Sequence, residues 1–232
     1  VNNAKRQLVY DRDEKEFCFR FNNRFLVYFC VDLYEVAMTT QLQGEKTYFL
    51  PFNQGSNGAG NVGDGGNPKN DEGYATSYLW EYVLNPEMLL SIFQRYISKQ
   101  TTESISLVNG KKVTKTKTIL IFPRYHQLDV VEKLVADTKK TKEGRNYLLQ
   151  HSAGSGKSNS ITWAAFQLIE AYPVEKDIAG SRGLEHPLFD SVIVVTDRRI
   201  LDKQLKENIK EFSEVKNIMA HAHKSSELKS AL

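Results

Sequence analysis

The chain has 232 residues, 41% of them apolar, and a formal net charge of +3 at pH 7. This length and apolar fraction predict a globular protein of one large or two ordinary domains, and so small a net charge does not by itself indicate a nucleic-acid partner. The charge is uneven, because residues 1–100 sum to −2 and residues 101–232 to +5. The two cysteines lack metal-type spacing, and neither a membrane-length apolar segment nor a signal peptide is present, so we expect a cytoplasmic protein with no membrane partner.

The first hundred residues predict a small sheet, a loop and a helix. Three β-rich runs, at residues 25–31, 34–40 and 47–50, account for the sheet. Residues 54–73 consist mostly of Gly, Asn and Asp, and they predict a flexible surface loop because they carry too little apolar surface to order cheaply. Residues 58–63 of this loop spell G-x-G-x-x-G, but no helix follows, which argues against a dinucleotide-binding fingerprint.

A helix is predicted after this loop, because Asn85 suits the N-cap and Pro86 suits the first helical position. Its apolar stripe is typical of core packing and comprises Leu89, Ile92, Phe93, Tyr96 and Ile97. Residues 100–118 are polar and β-branched and predict the domain boundary. Four lysines in this region fit either a solvated edge strand or linker, or a patch that follows phosphates: Lys111, Lys112, Lys115 and Lys117.

The rest of the chain predicts the order β-loop-α-β-α. A helix begins beyond Pro123 and has Leu128, Val131, Val135 and Thr138 on one face. Residues 146–150 then form a short apolar run of strand type. An amphipathic helix follows over residues 161–172, with an apolar stripe of Ile161, Ala164, Ala165, Leu168, Ile169 and Tyr172. Residues 190–196 contain the continuous apolar run Val-Ile-Val-Val and predict a strand buried within a parallel sheet, and residues 201–212 predict a further helix. This order predicts an α/β fold with a doubly wound parallel sheet.

Residues 151–158, His-Ser-Ala-Gly-Ser-Gly-Lys-Ser, predict a site for a nucleoside triphosphate between the first of these strands and its helix. Glycines let backbone N–H groups approach phosphate oxygens, the lysine supplies positive charge for the β- and γ-phosphates, and the last serine hydroxyl is suited to ligate Mg²⁺. The general pattern has glycine at the first position, where this chain has His151. The predicted nucleotide-binding residues are Gly154, Ser155, Gly156, Lys157 and Ser158.

Several strings resemble the motor and endonuclease (R) subunit of type I restriction enzymes, whose motor is a superfamily-two DNA translocase. Residues 122–127, Phe-Pro-Arg-Tyr-His-Gln, look like the Q motif that opens the first RecA-like motor domain. Residues 150–158 look like its motif I, and residues 194–205 are similar to its motif Ia region. The run that links the family's nuclease domain to its motor is similar to residues 49–55, 58–61 and 76–81.

The resemblance implies an α/β fold in two parts. Residues 1–100 would be the end of a restriction-nuclease-like domain, with the Gly-rich loop and connecting helices. Residues 101–232 would be the N-terminal part of a RecA-like P-loop domain with a parallel sheet. ATP and Mg²⁺ are implied as cofactors, and double-stranded DNA and the modification and specificity subunits as partners, in an enzyme that couples ATP hydrolysis to DNA translocation and cleavage.

The resemblance also assigns roles to individual residues. Gln127 would contact the adenine edge, since an amide both donates and accepts hydrogen bonds, or would be an exposed glutamine at a helix start. Arg198 and Arg199 would contact DNA phosphates, or form ion pairs with neighbouring aspartates. Gln7 and Tyr10 are candidates for the glutamine-tyrosine element at the tail of the nuclease domain.

The catalytic carboxylates of the family are not found in this sequence. The Asp and Glu-x-Lys of the nuclease centre would lie upstream of Val1, and the Glu-x-Lys spellings at residues 214–216 and 227–229 fit a solvated face. No Asp-Glu-x-His box is present to hold Mg²⁺ and orient the attacking water. We therefore expect a fragment that binds ATP weakly and neither hydrolyses it nor cleaves DNA.

Two alternatives remain open. The first is a superfamily-two helicase or remodelling ATPase that acts on RNA or chromatin, which an upstream Glu-x-Lys nuclease would exclude. The second is a non-catalytic nucleotide-binding or protein-interaction module with a degenerate loop, which the lack of any stabilisation by ATP would favour.

Overall fold

The computed structural model describes residues 1–108, 111–141, 145–175, 183–196, 220–222 and 224–231. The protein is a mixed α/β structure, which confirms the predicted fold class. It divides into two compact units, Val1–His126 and Gln127–Leu232, whereas the sequence placed the boundary after residue 100. Over the described ranges, every helix is too short or too polar to cross a bilayer.

The first unit opens with helix α1 (Asn2–Tyr10) and contains a three-stranded antiparallel sheet. Its strands, in the order β1-β2-β3, are Tyr28–Val31, Val36–Thr39 and Leu50–Pro51. All four residues of β2, the central strand, are buried, as expected for a strand with a neighbour on each side. The predicted small sheet is confirmed.

An aromatic cluster forms much of the core of this unit. The Phe52 ring centroid lies 5.2 Å from that of Phe29 and 6.0 Å from that of Tyr125, in edge-to-face arrangements that aromatic pairs favour. The Tyr78 ring lies 4.9 Å from Tyr125, and its hydroxyl donates to the Phe52 carbonyl oxygen at 2.8 Å. These contacts join residues on both sides of the Gly- and Asn-rich segment.

That segment contains no helix or strand over residues 54–73, so the predicted loop is confirmed, and hydrogen bonds hold it to the rest of the unit. Asn67 Nδ2 donates to the carbonyl oxygen of Tyr34 at 2.8 Å and to Asn53 Oδ1 at 3.1 Å, and Asn67 Oδ1 accepts from the Gln54 N–H at 2.8 Å. Asn53 Oδ1 also accepts from the Val36 N–H at 2.7 Å. Side-chain amides thus supply the contacts that apolar burial would supply elsewhere.

A π-helical turn (Leu79–Val83) follows, and helix α2 (Pro86–Arg95) begins where the sequence predicts. Asn85 Oδ1 accepts from the Glu87 N–H at 3.1 Å, so the predicted N-cap is confirmed.

Residues 98–121 contain an antiparallel hairpin of β4 (Ser98–Val108) and β5 (Lys111–Ile121) rather than a linker. The dipeptide between the two strands, Asn109-Gly110, is the strongest short-range sequence signal for a hairpin. The base of the hairpin belongs to the first unit, because Leu120 is buried and its carbonyl oxygen accepts from Thr40 Oγ1 at 2.9 Å.

The described elements of the second unit are helical. Helix α3 (Tyr125–Lys140) crosses into it and buries the predicted face: Leu128, Val131, Val135 and Thr138. Helix α4 (Lys157–Ile169) also forms as predicted, but its most buried side chains include Trp163 and Phe166, and Tyr172 is half exposed beyond its end. The buried face is therefore turned by about one residue from the predicted stripe. Helix α5 (Ser225–Ala231) is short and exposed.

The two predicted strands of the second unit do not form. Residues 146–150 and 191–196 have no assigned secondary structure, and Leu148 and Val195 are 89% and 87% exposed. A parallel strand needs hydrogen-bonded neighbours and cover on both faces, and the described part of this unit offers neither run a partner strand. The ladders among the described residues are antiparallel, so the predicted parallel sheet is not observed there. The helix predicted over residues 201–212 lies outside the described residues.

Candidate nucleotide-binding site

The loop at residues 151–156 turns sharply into helix α4. Gly154 has φ +72°, and Gly156 has φ +83° and ψ +32°, a left-handed conformation at the N-cap of the helix. An L side chain at either position would strain the backbone by about 1–2 kcal/mol, which explains the glycines physically. Ser155, between them, is buried. The turn places the N-terminus of helix α4, which is the positive end of the helix dipole, directly after the loop.

The Lys157 ammonium lies against its own loop. Its Nζ donates to the carbonyl oxygens of His151 at 3.0 Å and Ser152 at 2.7 Å, and the contacts are exposed to solvent. Phosphate oxygens are stronger acceptors for an ammonium than neutral carbonyls, because their negative charge adds a Coulombic attraction that a neutral carbonyl lacks. Lys157 can therefore exchange these carbonyls for an anion at the loop.

Gln127 is directly connected to this loop. Its side chain is 3% exposed, and its Nε2 donates to the Gly156 carbonyl oxygen at 2.9 Å. The same carbonyl accepts from the N–H groups of Asn159 at 3.0 Å and Ser160 at 3.3 Å, so three donors fix the left-handed turn. The fold thus brings together the predicted adenine-contacting residue and the predicted phosphate loop, 29 positions apart. The alternative of an exposed glutamine at a helix start is wrong.

Ser158 occupies the first turn of α4, and its side chain is half-buried. Its carbonyl oxygen accepts from Thr162 Oγ1 at 3.0 Å, which fixes the backbone of that turn. The assignment of its hydroxyl as the Mg²⁺ ligand stays a prediction. The positive charge, left-handed glycines, helix N-terminus and hydroxyl fit a nucleoside triphosphate with its metal ion.

Two buried polar residues of α4 were not predicted from the sequence. Ser160 Oγ and Gln167 Nε2 are buried and make no hydrogen bond to any described residue. They lie seven residues apart, on the same face as Trp163, so this buried face is partly polar. A stripe counted from Trp163 instead of Ile161 would have identified them.

The other predicted site residues belong to the first unit or lie outside the described residues. Gln7 and Tyr10 lie three residues apart on α1, and Tyr10 is 64% exposed. Arg198 and Arg199 lie outside the described residues, as does the Glu-x-Lys spelling at residues 214–216. The second spelling, at residues 227–229, lies on the exposed helix α5. Within the described residues, no group of three or more His, Cys, Asp or Glu could hold a metal ion.

Residues 120–231, which include Gln127 and the loop, match the family model described as the type III restriction enzyme, res subunit. This half of the chain is thus similar to the helicase-like ATPase domain of restriction enzymes, which implies nucleotide use. Comparison with curated proteins and with solved structures gives no match.

Proposed function

We propose that the chain is the ATP-binding part of a restriction-enzyme motor of the type I R-subunit kind, which couples ATP hydrolysis to translocation and cleavage of double-stranded DNA. The observation that carries the proposal is the 2.9 Å hydrogen bond from Gln127 Nε2 to the Gly156 carbonyl oxygen. A glycine-rich loop alone is common to many ATPases, whereas a buried glutamine amide at its turn offers a group that distinguishes adenine from guanine.

ATP with Mg²⁺ supplies the transferable phosphoryl group and the free energy that drives a motor. With ATP bound, Lys157 Nζ would exchange the carbonyls of His151 and Ser152 for the β- and γ-phosphate oxygens. The Ser158 hydroxyl would hold the metal ion, and the N–H groups at Gly154 and Gly156 would contact the phosphates. Gln127 positions the turn through Gly156, and its amide would recognise the adenine edge.

The type I assignment, as opposed to type III, rests on residues outside the matched range of 120–231. The strings at residues 49–55, 58–61 and 76–81 resemble the type I linking run. These strings include the Asn53 amide, the Phe52 ring and the Tyr78 hydroxyl, which organise the Gly- and Asn-rich segment. The modification and specificity subunits are the partners that follow from this assignment.

Thermal unfolding in the presence of millimolar ATP·Mg²⁺ tests nucleotide binding. A ligand that binds the folded state at ten times its Kd stabilises that state by about 1.4 kcal/mol, so we expect Tm to rise. The rise should vanish in Lys157→Ala and persist in Lys140→Ala, which removes an equivalent exposed charge at the end of α3. Equal Tm values with and without ATP in the unaltered chain would contradict the proposal.

Turnover is tested separately. The sequence contains no Asp-Glu-x-His box, and loss of the groups that position water and stabilise the transition state costs factors of about 10³–10⁵ each. Incubation with plasmid DNA, ATP and Mg²⁺ should give neither phosphate release nor nicking above the Lys157→Ala level. Activity of either kind would show that an unassigned carboxylate is functional.

A further inference from the structure

The hairpin of β4 and β5 has a surface that the nucleotide site does not account for. Its 24 residues include five lysines against one acidic residue, Glu103, and no aromatic residue. Lys112, Thr114, Lys115, Thr116 and Lys117 are all exposed, although alternate residues of a strand lie on opposite faces. Neither face of this part of β5 therefore packs on a core, and the described residues 114–117 form a solvated stretch of the ribbon, which is anchored at Leu120.

The dimensions of the ribbon suit a duplex. Eleven residues at about 3.4 Å each extend about 37 Å, slightly more than one turn of B-form DNA at about 34–36 Å. Lys115 and Lys117 lie on one face, about 6.8 Å apart along the strand, which is the axial rise of about two nucleotides. A two-stranded β-ribbon is also narrow enough to enter a major groove.

The composition of the ribbon indicates how it would bind. Ammonium and hydroxyl groups contact phosphates, whereas single-stranded nucleic acid is held largely by aromatic side chains that stack on its bases. The ribbon has threonines between its lysines, and the Thr101 and Thr118 hydroxyls lie 3.2 Å apart across the strands nearer its base. With no aromatic residue, it suits the backbone of a duplex better than unpaired bases.

We propose that the β4–β5 ribbon binds the phosphate backbone of double-stranded DNA without reading its sequence, with Lys115 and Lys117 as principal contacts. The choice of DNA as the polyanion rests on the proposed function, but the ribbon belongs to the first unit and the phosphate loop to the second. The Tm response to ATP tests nucleotide binding and the ribbon variants test DNA binding, so the two proposals can fail independently.

Fluorescence anisotropy with a labelled mixed-sequence duplex, in EDTA without nucleotide, measures the interaction over a series of salt concentrations. The double variant Lys115→Ala and Lys117→Ala should bind about tenfold more weakly, and the slope of log K against log salt should shrink by about 2, one per lysine. The matched control is Lys15→Ala with Lys46→Ala, which removes two exposed lysines from the same unit. It should retain the affinity and slope of the unaltered chain.

Four results would overturn the proposal: equal losses in the ribbon variant and its control, unchanged binding in the ribbon variant, tighter binding to single strands, or a strong preference between two unrelated duplexes. Unchanged DNA binding with new aggregation of the ribbon variant would show instead that the lysines protect exposed strand edges. The pair Lys115→Arg and Lys117→Arg keeps both charges and should bind DNA like the unaltered chain. Weak binding by this pair would also contradict phosphate contact, even if the alanine variant were poorly folded.

Discussion

Two glycine-rich loops in the described part of the chain, at residues 54–66 and 151–156, contain glycines with positive φ but differ in what they are joined to. Gly60 in the first loop and Gly156 in the second have φ values of +86° and +83°. In the first loop, the Gly55 N–H donates to the Gly66 carbonyl oxygen at 2.7 Å, and the Ser56 N–H donates to that of Asp64 at 2.9 Å. The loop therefore closes on itself.

The second loop leads instead into a helix. Gly156 is the N-cap of α4, and the next residue is Lys157, whose ammonium lies at the loop carbonyls. Left-handed glycines make a turn possible in both loops but are not sufficient for an anion site. The proposed site also requires the helix N-terminus and the adjacent cation.

The largest expected effect comes from valine at the two matched glycines. Gly156→Val and Gly60→Val each place a β-branched residue in a left-handed conformation and should each cost about 2 kcal/mol of stability. Gly156→Val should also abolish the rise in Tm with ATP·Mg²⁺, whereas Gly60→Val should keep it. The comparison breaks down if both variants, or neither, lose the response to ATP.

Asn67→Ala tests the closure of the first loop. It removes three hydrogen bonds, to Tyr34, Asn53 and Gln54, and should lower the free energy of unfolding by roughly 2 kcal/mol in a urea titration. Asn57→Ala is the matched control, because Asn57 Nδ2 makes one exposed hydrogen bond, to the Val62 carbonyl oxygen. ATP affinity should be unchanged in both variants. Equal losses of stability would show that the Asn67 hydrogen bonds contribute no more to closure of the loop than the one made by Asn57.

Gln127→Met tests the hydrogen bond from the buried Gln127 side chain to the second loop. Methionine keeps the buried volume but removes the donor to the Gly156 carbonyl oxygen, which retains the N–H groups of Asn159 and Ser160. We expect about a fivefold fall in ATP affinity by calorimetry, from a loss of about 1 kcal/mol, and a narrowed preference for ATP over GTP. An unchanged ATP-to-GTP ratio would remove Gln127 from base recognition.

Tyr78→Phe gives the smallest effect and a pH signature. The hydroxyl donates to the Phe52 carbonyl oxygen next to the first loop, so its loss should cost about 1 kcal/mol at pH 7. Burial raises the pKa of Tyr78 above its ordinary value of 10.0, so its contribution is complete below pH 10 and is lost as the pH rises toward the folded-state pKa. Urea titrations from pH 8 to 11 should show a shallower decline in stability for Tyr78→Phe than for the unaltered chain. Parallel curves would contradict this account of the buried phenol.

The sequence predicted local features well and non-local ones poorly. The N-cap at Asn85 and the presence of a helix after the glycine-rich loop follow from nearby residues, and both are observed, although this helix extends over Lys157–Ile169 rather than residues 161–172. The hydrogen bonds that hold residues 53–73 were not predicted. They join the side-chain amides of Asn53 and Asn67 to the backbone of Val36 and Tyr34, which are distant in sequence. The runs at residues 146–150 and 191–196 were assigned from composition alone, although a parallel strand depends on partners that periodicity does not reveal.

The candidate site shows the same division. The glycines and Lys157 could be named from their spacing, and Gln127 was named only through the resemblance to a known family. The 2.9 Å hydrogen bond from Gln127 Nε2 to the Gly156 carbonyl oxygen is evident only from the three-dimensional structure. The hairpin, in contrast, could have been found locally, since Asn109-Gly110 separates two β-branched runs.

Hydrogen exchange with and without ATP·Mg²⁺ compares the two loops in one experiment. If the second loop alone is the nucleotide site, ATP should slow amide exchange at residues 152–158 and leave residues 54–66 unchanged. Lys157→Ala should remove the protection. Slowed exchange at residues 54–66, or no change at residues 152–158 under conditions in which ATP raises Tm, would contradict the assignment of the site.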